Sequence, residues 1–145
     1  MGLLIRVVYL SEVNIASGDL LPQLRAIHDV STHHNREADI SGVLLFSHRF
    51  FVQLLEGPRL RVTETLGRIL ADHRHDNIRL CLAREVHARM FRSWSMRLVN
   101  GDPNFRLNDT QRTFDPSLAT ADEIMEMIER GCVPDGQGRT LVAAG

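Results

Sequence analysis

Apolar and polar positions change their period several times along the chain, and each change marks an element. Leu3 to Tyr9 is a short apolar run rich in β-branched residues, broken only by Arg6, and predicts a buried strand. The turn formers from Ser11 to Gly18 predict a loop after it. Leu20, Leu24, Ile27 and Ser31 then recur at helical spacing. Pro22 is compatible with a helix starting near Gly18 or Asp19, where N–H groups need no partner, and the helix should run to about Asn35. Two apolar runs, Ile40 to Phe46 and Phe50 to Leu55, are joined by Ser47-His48-Arg49, which suits an antiparallel hairpin stopped by Gly57-Pro58.

From Arg59 to Asp72, Val62, Leu66, Ile69 and Leu70 return to helical spacing. Ile78 to Val86 and Trp94 to Val99 read as two more strands, and Asn100-Gly101-Asp102-Pro103 as a boundary. The resulting order, β-α-β-β-α-β-β, is an α+β chain on the ferredoxin-like βαββαβ plan with an extra strand. Two helices should share one sheet face, and a C-terminal helical extension should cover the other. Residues 1–101 form the folded domain in this reading, 102–131 the extension and 132–145 a flexible tail. Within the extension, Thr120 to Arg130 carries Ile124, Met127 and Ile128 on one helical face, suited either to covering the sheet or to joining two protomers.

A chain of 145 residues with 43% hydrophobic positions has enough apolar side chain for one packed core. Its 17 Lys and Arg against 18 Asp and Glu give a formal charge of -1, so no global field draws it to nucleic acid or to an anionic membrane. The N-terminal run is too short to span a bilayer and lacks a basic flank, and Arg6 stands where a myristoylation signal has Ser or Thr. Cys81 and Cys132 lack metal or redox spacing, which suits reduced thiols in a cytoplasm.

Gln53 interrupts the apolar strand Phe51-Val52-Gln53-Leu54-Leu55. If it faces inward, its amide needs a partner, because leaving it unpaired costs about 1–3 kcal/mol. If it faces solvent, it needs none. Tyr9 is the only tyrosine, at the end of the first strand, and Asn35 taken alone reads as a helix cap. Trp94 and Met96 alternate on the last strand and share a face, as core or as cover for the sheet. His33 and His34 are adjacent and point to different helix faces, and the run Asp72 to Asp76 reads as a solvated helix end, so no metal site is expected.

Seven segments in order resemble the BLUF family of blue-light sensors using flavin. They are Tyr9 with Ser11, Ser31 to Asn35, Ile40 to Leu45, Phe51 to Gly57, Asp72 to His75, Arg89-Met90-Phe91 and Trp94-Ser95-Met96; the likeness runs from about Leu3 to Leu98. It implies a non-covalent FAD or FMN between the two helices, with Ile27 and Ile69 against the ring and Asn35 on its polar edge. Ser31, Tyr9 and Gln53 belong to the same cofactor-binding set. Arg68, Asp72 and His75 match positions near the ribityl or phosphate end, where a cation suits phosphate and a carboxylate suits hydroxyl. His34 stands where many relatives carry a second Asn, which changes the donor count and adds pH sensitivity.

The resemblance further implies that Tyr9 gives up an electron and a proton to excited flavin, that Gln53 relays the proton, and that both return. A changed hydrogen-bond network then passes through Trp94 or Met96 to a partner. About 45 residues after Gly101 are too few for an enzymatic output domain, so the chain is expected to be no enzyme. It should act on a separate effector, a cyclic-nucleotide enzyme or a transcription regulator, and is expected to be a homo-oligomer. The rival readings are a flavin-free interaction module of the same fold, an acylphosphatase-like hydrolase, and an RNA-recognition motif. No glycine-rich phosphate loop supports the hydrolase, and Arg49-Phe50-Phe51-Val52-Gln53 lacks the aromatic and glycine signature of the RNA binder.

Overall fold

The fold is taken from a computed structural model that describes residues 3–46, 50–99, 106–107, 112–113, 118–131 and 138–140. Its elements are β1 (Leu4–Val13), α1 (Leu20–Glu37), β2 (Ser41–Phe46), β3 (Phe50–Pro58), α2 (Arg59–Leu70), β4 (His75–Val86), β5 (Trp94–Val99), β6 (Arg106–Leu107), β7 (Arg112–Thr113), α3 (Ala121–Gly131) and β8 (Gly138–Thr140). The main sheet has the order β4-β1-β3-β2-β5-β8. Its first four strands are antiparallel in the ferredoxin-like arrangement, β5 adds parallel to β2, and β8 adds antiparallel to β5.

Strand alternation sorts the sheet into two faces. Val8 and Leu10 of β1, Val43 and Leu45 of β2, and Val52 and Leu54 of β3 point to one side, where Ile124, Met127 and Ile128 of α3 meet them. Those three side chains are fully buried, so α3 covers the sheet rather than offering this stripe to a second protomer. The helix starts with a reciprocal cap: Glu123 N–H donates to Thr120 Oγ1 and Thr120 N–H donates to Glu123 Oε1, both at 3.1 Å. On the other side Val7, Leu44, Leu55, Trp94 and Met96 pack under α1 and α2 with Leu24 and Val62.

Gly42 carries a structural requirement of its own. Its φ of 142° is one that side-chain-bearing residues rarely adopt, and a Cβ there would collide with the Leu54 carbonyl of the neighbouring strand.

Several boundaries differ from the sequence expectation. β1 continues to Val13 and β4 starts at His75, because Ser11, Glu12 and Val13 pair with β3, β4 or both despite their turn-like composition. Tyr9 therefore lies inside β1 rather than at its end. α1 is preceded by a 3-10 turn at Ser17–Asp19 and runs two residues past Asn35, while α2 stops at Leu70. Gly138–Thr140 is a strand on the sheet edge within the stretch expected to be a flexible tail, and two two-residue strands precede α3 in the expected helical extension. The hairpin link Ser47-His48-Arg49, the boundary at 100–103 and Cys132 lie outside the described residues.

Candidate functional site

The cleft between the sheet and the pair α1 and α2 encloses about 170 Å³, and all ten residues expected from the resemblance to bind a cofactor line it. Helical spacing brings Ile27, Ser31, His34 and Asn35 of α1 to the cleft, and Arg68 and Ile69 of α2 face them. Tyr9 and Gln53 form its floor as register partners on β1 and β3. Asp72 and His75 close the end where α2 gives way to β4.

Gln53 faces inward: it is 4% exposed, and the Tyr9 hydroxyl donates to its Oε1 at 2.6 Å. That pairing turns the amide N–H₂ away from the phenol. Among the described residues neither Gln53 Nε2 nor the side-chain amide of Asn35, itself 2% exposed, has a hydrogen-bond partner. Burial, reinforced by the negative charge of Asp72, pushes the Tyr9 phenol far above the ordinary tyrosine range, so Tyr9 is neutral and holds its proton at Oη. The register of β1 against β4 shifts on either side of Leu10, an irregularity of the kind that re-aims side chains near functional sites.

Two histidines line the cleft without offering it a free nitrogen. Arg68 Nη1 lies 2.6 Å from His34 Nδ1, and because guanidinium only donates, Nδ1 accepts and Nε2 carries the proton given to Thr65 Oγ1 at 2.9 Å. Burial first, then the Arg68 charge, lowers the His34 pKa from its ordinary value. His75 Nε2 donates to the Ile69 carbonyl at 2.8 Å, which leaves Nδ1 to accept from Ser11 Oγ at 2.7 Å. His75 thus presents its ring, edge-on to Tyr9 and Phe51, to the cleft. Asp72 is likewise engaged: Arg74 donates to it from its backbone N at 2.9 Å and from its guanidinium, which holds the carboxyl below the usual range. Arg68 has no carboxylate partner among the described residues.

Val30, Leu44, Phe51, Thr65 and Arg74, which are not among the expected cofactor-binding residues, also line the cleft. Periodicity carries a signal for the middle three and for Val30: Thr65 stands four residues before Ile69, Val30 three after Ile27, Phe51 two before Gln53, and Leu44 pairs with Gln53. Arg74 carries none, because its place depends on Asp72. Trp94 and Met96 do not line this cleft. Met96 is fully buried and continues the register row Tyr9–Gln53–Leu44–Met96 across four strands, whereas Trp94 pairs with Gly42 and lies beside His28 at a ring separation of 6.3 Å.

Apolar walls, two unpartnered buried amides on the inner edge and a guanidinium at the mouth fit a flat ring with a polar rim and an anionic tail. Fold and cleft together define a ferredoxin-like ligand-binding domain. A family model described as BLUF, sensors of blue-light using FAD, matches residues 4–97, and the chain belongs to that family. Members of that family sense blue light with a non-covalently bound FAD, or FMN in some cases, so the chain is a blue-light sensor of this class.

The Blue light- and temperature-regulated antirepressor BluF of Escherichia coli K12 is 30% identical over 102 residues, 70% of this chain and 25% of that protein. The beta subunit of the Photoactivated adenylate cyclase of Euglena gracilis is 33% identical over 63% of this chain and 11% of its own length. This chain therefore spans a quarter or less of these curated relatives. Among solved structures, the BLUF protein BlrB in its dark state is 35% identical with a TM-score of 0.62, covering 68% of this chain and 74% of that one. The photo-activated state of BlsA is 26% identical with a TM-score of 0.73, covering 97% and 96%. No helix of the described residues is long and apolar enough to cross a membrane.

Proposed function

We propose that the chain is a light switch whose moving part is the Tyr9–Gln53 hydrogen bond. The observation that carries this reading is the 2.6 Å contact from Tyr9 Oη to Gln53 Oε1, with the other end of the same amide unpartnered in the cleft. When bound, the flavin supplies absorption of blue light and a place for an electron on excitation. With flavin in the cleft, Tyr9 would be the residue that supplies the electron, and its Oη proton would pass along the short bond to Gln53. Both then return to Tyr9. Gln53 is left rotated or tautomerised, so that donor and acceptor are exchanged toward Tyr9 and toward the ring edge beside Asn35. Repartnering one buried amide redistributes about 1–3 kcal/mol, a factor of roughly 5 to 150 in a two-state equilibrium.

Gln53 is joined to the output strand by its register row. Leu44 lies between it and Met96, so a change at Gln53 is felt first at Met96 of β5 and then at its neighbour Trp94. We assign residues 1–101 to the sensor and the rest to an extension that passes the change to a separate effector. The named relatives point to a transcription regulator or a cyclic-nucleotide enzyme as the effector class, and self-association of the chain belongs to the same proposal.

The test is the visible spectrum of the flavin-loaded chain in darkness, under blue light and after dark recovery, for the native protein, Gln53→Leu and Tyr9→Phe. A small, reversible red shift in the native protein that both variants lose is the expected result. A flavin that only bleaches, or a shift that survives in both variants, would refute the switch.

A further inference from the structure

A second pocket, of about 220 Å³, lies on the far side of Asn35, which contributes to the walls of both. Thr32 and Arg36 of α1, Arg89 and Arg92 of the β4–β5 connection, and Trp94 at the start of β5 line it. Arg89 is bound in place: it forms an ion pair with Asp39 at 3.2 Å and donates to Ser41 Oγ at 2.7 Å and to the Glu56 carbonyl at 3.2 Å. Arg36 and Arg92 are exposed, and among the described residues they have neither a carboxylate partner nor a side-chain hydrogen bond.

Three guanidiniums against the one carboxylate of Asp39 leave the pocket at about +2 at neutral pH, since arginine does not deprotonate. The C-terminus of α1 opposes this with roughly half a negative charge. Its last carbonyls are already occupied by the N–H groups of Ala38, Asp39 and Ile40, so the cations prevail. Trp94 Nε1 and Thr32 Oγ1, on two residues that also line the pocket, are buried without a hydrogen-bond partner.

We propose that this pocket binds a small oxyanion, a carboxylate or phosphate group held between Arg36 and Arg92 with Arg89 behind them. Planar guanidinium forks match either group in two-point contact. Through Asn35 and Trp94 the bound anion touches both the flavin wall and the output strand. Only that coupling rests on the light-switch reading; the binding itself does not.

Trp94 is the only tryptophan in the chain, so its emission reports on the pocket directly. The flavin-loaded chain is titrated in the dark with sodium phosphate and separately with sodium acetate, with sodium chloride holding ionic strength constant. A saturable change in Trp94 emission is expected, the anion giving the lower midpoint naming the group, and Arg36→Gln with Arg92→Gln should raise that midpoint at least tenfold. Both positions are exposed, and each single variant carries the same test if the double variant is unstable. Curves that match a chloride-only series, or a saturable response unchanged by the substitutions, overturn the site. Light-minus-dark spectra of the same samples separate the two proposals: a normal light shift with no titration removes the pocket alone, and a titration without a light shift removes the switch alone.

Discussion

The two faces of the central sheet are drawn from the same strands and built for opposite ends. On the α3 side, Val8, Leu10, Val43, Leu45, Val52 and Leu54 meet Ile124, Met127 and Ile128, and none of the nine exceeds 1% exposure. On the α1 and α2 side, the residues between them include Tyr9 and Gln53, and the covering helices leave a cleft rather than a closed contact. A close-packed face converts every methylene into stability, while a ligand face keeps space and unpartnered amides. Because strand side chains alternate, substitutions one residue apart in β3 should separate these two properties.

Leu54→Ala should have the largest effect. It opens a cavity at the centre of the packed face, and a fully buried Leu truncated to Ala costs about 2–5 kcal/mol. Urea unfolding of the flavin-loaded protein should show a lower midpoint at unchanged slope, with the light-induced shift retained in the folded fraction. A loss below about 1 kcal/mol would mean that this face is not close-packed.

Glu56 is a buried charge on the packed side. Fully buried at the end of the Phe50–Val52–Leu54 row, it pairs with Arg6 at 2.7 Å and accepts from the Met90 N–H at 2.8 Å and the Phe91 N–H at 3.3 Å. It thereby fastens the β4–β5 connection to the sheet. Glu56→Gln keeps an acceptor but removes the charge, so about 2 kcal/mol should be lost in the same unfolding measurement. Faster amide hydrogen exchange at Met90 and Phe91 would locate the loss, and unchanged exchange there would argue against the fastening role.

Gln53→Leu should reverse the pattern seen at Leu54. Replacing a buried amide by an aliphatic side chain of similar size while the Tyr9 hydroxyl loses its acceptor should change stability by about 1 kcal/mol or less. The spectral shift under blue light should vanish. A large stability loss would show that the amide is structural, and the two faces would then differ less than their packing suggests.

Much of this division is legible in the chain. Helical spacing locates α1, α2 and α3, and the apolar runs locate β2, β3 and β5, because each of these elements buries one continuous stripe or face. The ends of β1 and the start of β4 are not legible, since Ser11, Glu12, His75 and Asp76 are held by pairing across the sheet and by the Ser11–His75 bond, neither of which leaves a period in sequence. Asn35 reads alone as a cap, whereas it lies two residues inside the helix end with its side chain buried in the cleft wall. Gln53 is conspicuous from its strand alone, but the face it points to depends on register; the other expected cofactor-binding residues come from family likeness, whereas Val30 and Thr65 lie outside the resembling segments. Arg74 lies within the resembling run Asp72 to His75, but its part in the cleft wall is not legible there, because it is placed by its bonds to Asp72.

The smallest expected effect concerns pH. His34 belongs to the open face, and its pKa is lowered by burial and by the Arg68 charge, so the folded protein keeps it neutral where an unfolded chain begins to take up a proton near pH 6.5. Protonation would also remove the Nδ1 lone pair that accepts from Arg68. The contribution of this group is therefore complete above about pH 6.5, declines as pH falls through that value, and stops declining below the lowered folded pKa. The side chain is largely solvent-screened, so the slope should be shallow. The difference in unfolding midpoint between the native protein and His34→Gln, followed from pH 8 to pH 5, removes the other histidines from the comparison. The native protein should lose ground to the variant only on the acid side. A difference that stays constant with pH would mean that His34 titrates alike folded and unfolded, and that Arg68 does not hold its ring neutral.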